Sequence, residues 1–249
     1  MTTHTLYLLP LGQLGRADPT TGAIRFNQVP GYLIRSAAGR LILIDTGNPA
    51  ALVGAADARP WFPALQNATT AEDDVVRRLA ELAITPAQID VLVSTHFDFD
   101  HCGRHDVFAA LGTMSLVQQA HLAAACAQPQ RYDPTLWDRP GLRYEAIDGD
   151  RELEPGLRLL ATPGHAVGHQ SVFVETDAGP VVLAIDAIPN AQALTTDPAT
   201  ADAADVATFA RSRDRLAALA AETGAYLLFG HDAAQWATLP KSPTPFRRP

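Results

Sequence analysis

The sequence predicts an α+β fold in which two β-sheets pack together with helices on their outer faces. Three observations lead there. Clusters of apolar, strand-like runs are separated by helical stretches in two similar halves of the chain, the pattern expected of layered sheets and helices. At 249 residues and 47% hydrophobic content the chain can bury a large core, and its length fits one domain spanning 1–249. Several of the apolar runs also end in histidine or aspartate, so one edge of the sheets collects polar chemistry.

In chain order, the opening residues to Pro10 read as a first strand, since they lack the basic start of a signal peptide. Asp18-Pro19 and Thr20-Thr21-Gly22 are turn signals within a connection from Gly12 to Pro30, and Tyr32 to Arg35 resumes a strand. A turn at Ala37 to Arg40 leads into Leu41-Ile42-Leu43-Ile44, whose end, Asp45-Thr46-Gly47, is expected to border a site. The segment from Asn48 to Thr70 is long for a connection and carries the aromatic knot Trp61-Phe62-Pro63. Thr70 caps a helix whose acidic first turn (Glu72, Asp73, Asp74) precedes Val75, Val76, Leu79, Leu82 and Ala83 at helical spacing. Ile89 to Val93 is a strand, Leu116-Val117 a short one, Gln118 to Ala127 a helix, and Pro129 to Pro140 a Pro-punctuated loop with Tyr132 and Trp137. Strands follow at Leu142 to Ile147, Leu157 to Ala161, Gln170 to Glu175 and Val181 to Ile185. A helix from Ala203 to Glu222 ends at Gly224, Tyr226 to Phe229 is the last strand, and the tail from Pro240 is expected to lie extended on the surface or fray.

Bulk properties exclude several functions. A net charge of −8 without a basic patch argues against nucleic acid, and no apolar run is long enough to span a membrane. Two cysteines, Cys102 and Cys126, are too few for a disulfide framework, so the expected compartment is the cytoplasm.

The chemistry is concentrated in His96-Phe97-Asp98-Phe99-Asp100-His101, directly after the apolar run Val91-Leu92-Val93. A lone His-x-Asp would be an ordinary solvated loop start. Four potential ligands within six residues, with matching residues downstream, read instead as a metal cradle. His165, Asp186 and His231 each follow an apolar strand in the same way. Seven ligands then serve two ions: His96, Asp98 and His165 on one, Asp100, His101 and His231 on the other, and Asp186 bridging. Of the remaining histidines, His4 and His121 are expected on the surface, His105 either solvated or behind the ligands, and His169 as a brace beside His165.

These motifs, with Ile44-Asp45-Thr46-Gly47, Gly168-His169-Gln170-Ser171, Ile185-Asp186-Ala187 and Gly230-His231-Asp232, resemble the metallo-β-lactamase superfamily, and within it the N-acyl-homoserine lactonases. The resemblance implies a four-layer αβ/βα sandwich and a dinuclear metal-dependent hydrolase, with zinc as the first expectation, that opens an N-acyl-homoserine lactone ring in quorum quenching. It further implies that Asp100 carries a proton to the departing ring oxygen, and it favours Phe99 over Phe97 as the ring facing the pocket; with Trp61 and Phe62, Phe99 is expected to form an apolar channel for an acyl chain. A different lactone or ester, such as a pyridoxolactone-like ring or an aryl ester, is the alternative substrate. A di-iron oxygen- or nitric-oxide-reducing protein is the remote alternative. The expected partner is a small-molecule substrate, and a homodimer is compatible with the sequence.

Two positions depart from the family pattern. Asp98 stands where the family has a second histidine, and Pro189 where lactonases have a tyrosine that donates to the substrate carbonyl. A carboxylate in place of a neutral imidazole makes the cluster more negative and suits harder ions such as manganese, iron or cobalt. Tyr132 and Tyr144 are the sequence's candidates for the missing donor.

Overall fold

The computed structural model describes residues 3–18, 20–201 and 203–249; Met1 and Thr2 of the expected first strand, and Pro19 of the expected turn, lie outside the described residues. Eight strands form the first sheet: β1 (Thr5–Ala17), β2 (Ile24–Arg35), β3 (Leu41–Ile44), β4 (Asp57–Ala58), β5 (Phe62–Asn67), β6 (Val91–Val93), β7 (Met114–Gln118) and β8 (Arg143–Ile147). Their spatial order is β4-β5-β1-β2-β3-β6-β7-β8. The second sheet has five: β9 (Arg151–Glu154), β10 (Leu157–Ala161), β11 (Gln170–Thr176), β12 (Gly179–Leu183) and β13 (Tyr226–Leu228), in the order β13-β12-β11-β10-β9. The helices are α1 (Val75–Ala80), α2 (Phe99–Cys102), α3 (His105–Ala109), α4 (Gln119–Ala127), α5 (Pro134–Trp137), α6 (Val206–Thr223) and α7 (Ala233–Thr238).

Alternation along the strands sorts side chains into layers. Ile34, Ile42, Ile44 and Val93 of the first sheet meet Leu159, Val172, Val174 and Leu183 of the second in one buried cluster. Their neighbours Leu33, Leu43 and Leu92 face the other way, onto Val75 and Leu79 of α1 and Phe108 of α3. On the far side, Leu160, Phe173 and Val182 pack against Leu216 and Ala220 of α6. The order helix, sheet, sheet, helix is the four-layer sandwich. Each fully buried Leu, Ile or Val contributes about 1.5–3 kcal/mol, so these three clusters are the main source of stability.

Parallel pairing is what positions the site. β3, β6, β7 and β8 run parallel to one another, as do β12 and β13. Their C-terminal ends collect at one edge of the sandwich, where loops after parallel strands make binding crevices.

Several expectations from sequence differ in extent. β1 and β2 form a longer hairpin than expected, pairing from Thr5↔Arg35 to Ala17↔Ile24 past an irregularity between Pro10 and Gln13. The turn residues mark only its tip, where Asp18 accepts from the amides of Thr20 and Thr21. The helix expected from Thr70 divides in two, because Thr70 and Asp73 close a capping box on a short 3-10 turn and Asp74 caps α1 separately. α6 starts at Val206, three residues later than expected, where Asp205 accepts from the Thr208 amide. The tail does not fray. Phe246 is buried between the sheets, and the amides of Ser242 and Phe246 donate to the carbonyls of Leu8 and Leu6. β5 pairs with β1 only at Leu14 and Gly15, so the earlier part of that β1 edge needs another cover, and the tail supplies it.

Candidate metal centre and its cavity

Asp45, at the end of β3, organises the cradle. Its carboxylate accepts from the Thr95 amide at 2.9 Å, the Thr95 hydroxyl at 2.7 Å and Nδ1–H of His101 at 2.9 Å. Because Thr95 donates its hydroxyl proton to Asp45, it accepts from Nδ1–H of His96 at 3.1 Å. Nδ1–H of His231 donates to the Gln28 carbonyl at 2.9 Å. Each of these rings is thereby held in the tautomer that leaves the Nε2 lone pair facing inward.

The inward atoms converge. Oδ2 of Asp98 lies 3.4 Å from Nε2 of His96 and 3.1 Å from Nε2 of His165. Asp186 turns one oxygen to each side: Oδ2 is 3.3 Å from His165 and 3.8 Å from His96, and Oδ1 is 3.1 Å from His231 and 3.6 Å from His101. Oδ2 of Asp100 is 3.8 Å from His101 and 3.9 Å from His231. His96, Asp98 and His165 form one group with ligand atoms within 4.8 Å of one another, Asp100, His101 and His231 a second, and His96, His101 and Asp186 a third that joins them.

This donor set fits two divalent ions. Nε2 of His96, Nε2 of His101 and Oδ1 of Asp186 are buried without a hydrogen-bond partner, an expensive arrangement for three polar atoms unless cations satisfy them. Electrostatics agrees. Burial pushes the carboxyls of Asp98 and Asp186 upward, but the surrounding imidazoles hold both well below the usual carboxylate range, so both are charged. Burial holds the His96 imidazole well below its ordinary value and therefore neutral. In His101, burial is outweighed by the carboxylates of Asp186, Asp100 and Asp45, which raise it to about 10, so with no cation bound Nε2 carries a proton that an ion displaces on binding. Burial dominates at Asp100, whose carboxyl is raised.

The remaining histidines are buried braces. His121, expected on a helix surface, accepts from the Phe97 amide at 2.8 Å and donates to the Val167 carbonyl at 2.7 Å, so it ties the cradle to the His165 loop. His4, expected to be exposed, is buried and joins the Ala37 amide to the Pro155 carbonyl. His105 lies between Ser94 and Tyr144. His169 accepts from the Asp186 amide at 3.3 Å, while its Nδ1–H starts a chain through Thr162 and Ser171 to the Ala184 carbonyl.

The cluster opens into a cavity of about 770 Å³, lined by Asp98, Asp100, His165, Asp186 and His231 and also by Trp61, Phe62, Leu65, Phe99 and Pro189. Trp61 stacks on Phe99 at 5.8 Å between ring centres and donates from its indole nitrogen to Asp133 at 2.9 Å. Phe97 turns away and stacks on Trp137 instead. Neither tyrosine considered as a carbonyl donor lines the cavity. Tyr132 is buried against His121, and the Tyr144 hydroxyl donates to the Trp137 carbonyl at 2.6 Å. Arg131, which sequence reasoning passed over, does line it. It binds Asp98 from a loop 33 positions away, a pairing with no local signal in the sequence.

Residues 24–231 match the metallo-β-lactamase superfamily, and the chain belongs to it. Among its relatives, an N-acyl homoserine lactonase, AiiA, from Bacillus thuringiensis subsp. kurstaki is 34% identical over 75% of this chain and 77% of its own length. The N-acyl homoserine lactonase AttM of Rhizobium johnstonii is 30% identical and covers 98% of both chains. In three dimensions the chain is similar to an N-acyl homoserine lactone hydrolase solved with N-hexanoyl-L-homoserine at its catalytic metal centre, with a TM-score of 0.88, 29% identity and coverage of 98% of this chain and 100% of that one.

Proposed function

We propose that the chain is a dinuclear metal-dependent hydrolase that opens the lactone ring of N-acyl homoserine lactones. The observation that carries this reading is the two-sided Asp186 carboxylate between the His96/His165 and His101/His231 pairs, at the base of a cavity with an aromatic lining. The sequence similarity to lactonases supports the substrate class. His96, Asp98 and His165 would hold one ion, Asp100, His101 and His231 the other, with Asp186 shared. Two divalent ions bound there supply Lewis acidity toward a carbonyl and activation of water. Four imidazoles suit zinc, and the three carboxylates leave room for manganese, iron or cobalt.

The chain's own residues then account for binding and proton movement. Trp61, Phe62 and Phe99 give an acyl chain an apolar surface, and the Trp61–Asp133 hydrogen bond holds that surface in place. Hydrolysis adds water across the ring C–O bond, so the departing ring oxygen must receive a proton. Asp100 lines the cavity within the Asp100/His101/His231 group, which places a carboxylate beside the reacting bond to carry that proton to it.

Proton release from a panel of N-acyl homoserine lactones of graded chain length, with protein loaded separately with zinc, manganese or iron, tests the reading. Turnover that disappears after chelation and returns with metal is expected. A second reading, hydrolysis of another lactone or an aryl ester, is favoured by Pro189, which lines the cavity without a hydroxyl to offer a substrate carbonyl. Cleavage of those substrates, with the homoserine lactones untouched, would establish it instead.

A further inference from the structure

Asp98 occupies the N-cap position of α2, where an aspartate ordinarily accepts from the amides of its own helix, yet it makes no such bond. Its carboxylate is committed elsewhere. Nε–H of Arg131 donates to Oδ1 at 3.2 Å and an Nη2 hydrogen donates to Oδ2 at 3.0 Å, a two-pronged ion pair. The same Nη2 donates to the His165 carbonyl at 3.3 Å, so one guanidinium touches two of the three residues in the His96/Asp98/His165 group. The guanidinium carbon lies 5.0 Å from the ring centre of Tyr132, which packs at 5.0 Å on His121, the residue that holds the Phe97 amide. Arg131 is therefore seated on the framework that shapes the cradle.

We propose that Arg131 is a positioning residue for the metal centre, and that Asp98 and Arg131 act as one neutral unit in place of the imidazole found at this position in the family pattern. Two physical needs are met together. A carboxylate swings about its side-chain torsions more freely than a ring pinned through its second nitrogen, and the fork of Arg131 fixes both oxygens with Oδ2 turned to His96 and His165. A carboxylate also carries a negative charge that imidazole lacks, and the guanidinium cancels it. The expectation that Asp98 makes the cluster more negative omitted this partner, and with Arg131 counted the net charge returns to that of a histidine-containing site.

The inference rests on the metal-binding part of the reading above and is independent of which lactone or ester is cleaved. Its test reads metal retention. Zinc-loaded wild-type protein, Arg131→Ala, Arg131→Lys, Asp98→His and the double variant Asp98→His/Arg131→Ala are challenged with a chromophoric chelator, and the release of each zinc is followed. Arg131→Ala should release one of the two ions at least about tenfold faster than wild type, as loss of an outer partner of a ligand does. Arg131→Lys should fall between them, because an ammonium cannot span both oxygens. In the Asp98→His background, removing Arg131 should leave release unchanged or slow it, since the guanidinium no longer has a carboxylate to hold and repels a nearby cation. Retention of Arg131→Ala equal to wild type would overturn the proposal. So would the same acceleration in both backgrounds, which is what a merely structural arginine gives. Wild-type protein that binds no zinc at all would instead remove the metal-site reading itself, before the variants are compared.

Discussion

At the scale of single residues, Asp45 shows how much of this site is decided one step behind the ligands. It has φ of 58°, a left-handed conformation that aspartate tolerates better than most side chains, and its amide donates to the Val93 carbonyl at 3.0 Å. That places one carboxylate where it binds Thr95 twice and His101 once. Asp45→Asn keeps the shape and removes an acceptor. The amide nitrogen must then face either Thr95 or His101; facing His101, it moves the ring proton to Nε2, the atom aimed at the metal. Zinc affinity should drop about 10–100-fold, read by competition with a chelator of known strength, with the fold retained. An unchanged affinity would restrict Asp45 to holding β3 and the Thr95 turn together.

At the scale of elements, the question is how one turn of helix, α2, holds Asp100 and His101 steadily. It is stitched to the turn after β3: the Thr46 amide donates to the His101 carbonyl at 2.8 Å, the Gly103 amide to the Gly47 carbonyl at 2.9 Å, and the Arg104 amide to the Thr46 hydroxyl at 3.1 Å. The two backbones touch at Gly103, where a Cβ would run into Asn48 and Pro49. The conformation there is helical, so the requirement for glycine is one of space. Gly103→Ala should cost about 1–3 kcal/mol in urea denaturation by forcing these backbones apart. It should also weaken metal binding, because His101 rides on the displaced turn. A variant within 0.5 kcal/mol of wild type, with roughly unchanged metal affinity, would mean that the turn yields freely.

At the scale of the whole molecule, what could be read from the sequence was whatever the chain states locally. The apolar runs are local, and so are the histidines and aspartates that follow them, which is why both sheets and the residues gathered at the candidate metal centre are legible. The tertiary partners are not. Arg131 meets Asp98 across a Pro-punctuated loop, Phe246 enters the core because the β1 edge needs cover, and His4, His105 and His121 read as surface or ambiguous residues until neighbouring layers enclose them. That enclosure has a pH signature at His105, which packs behind the cradle with its ring 5.9 Å from that of Phe97. Its Nδ1–H donates to the Tyr144 hydroxyl, which in turn donates to Trp137, and its Nε2 faces Ser94 at 3.2 Å. Burial first, and then the charge of Arg139, push its pKa down to about 3. In the unfolded chain it titrates near ~6.5. Between these values the unfolded state binds a proton that the native state refuses, so stability falls as pH falls, by up to ~1.4 kcal/mol per pH unit for this one group. His105→Gln keeps a donor and an acceptor but binds no proton. In urea denaturation at pH 7, 6, 5 and 4, wild type should therefore lose stability more steeply below about pH 6 than the variant, with the slopes differing by about one proton. Parallel profiles would show that His105 accepts its proton in the folded state, and that acid weakens the fold through other groups.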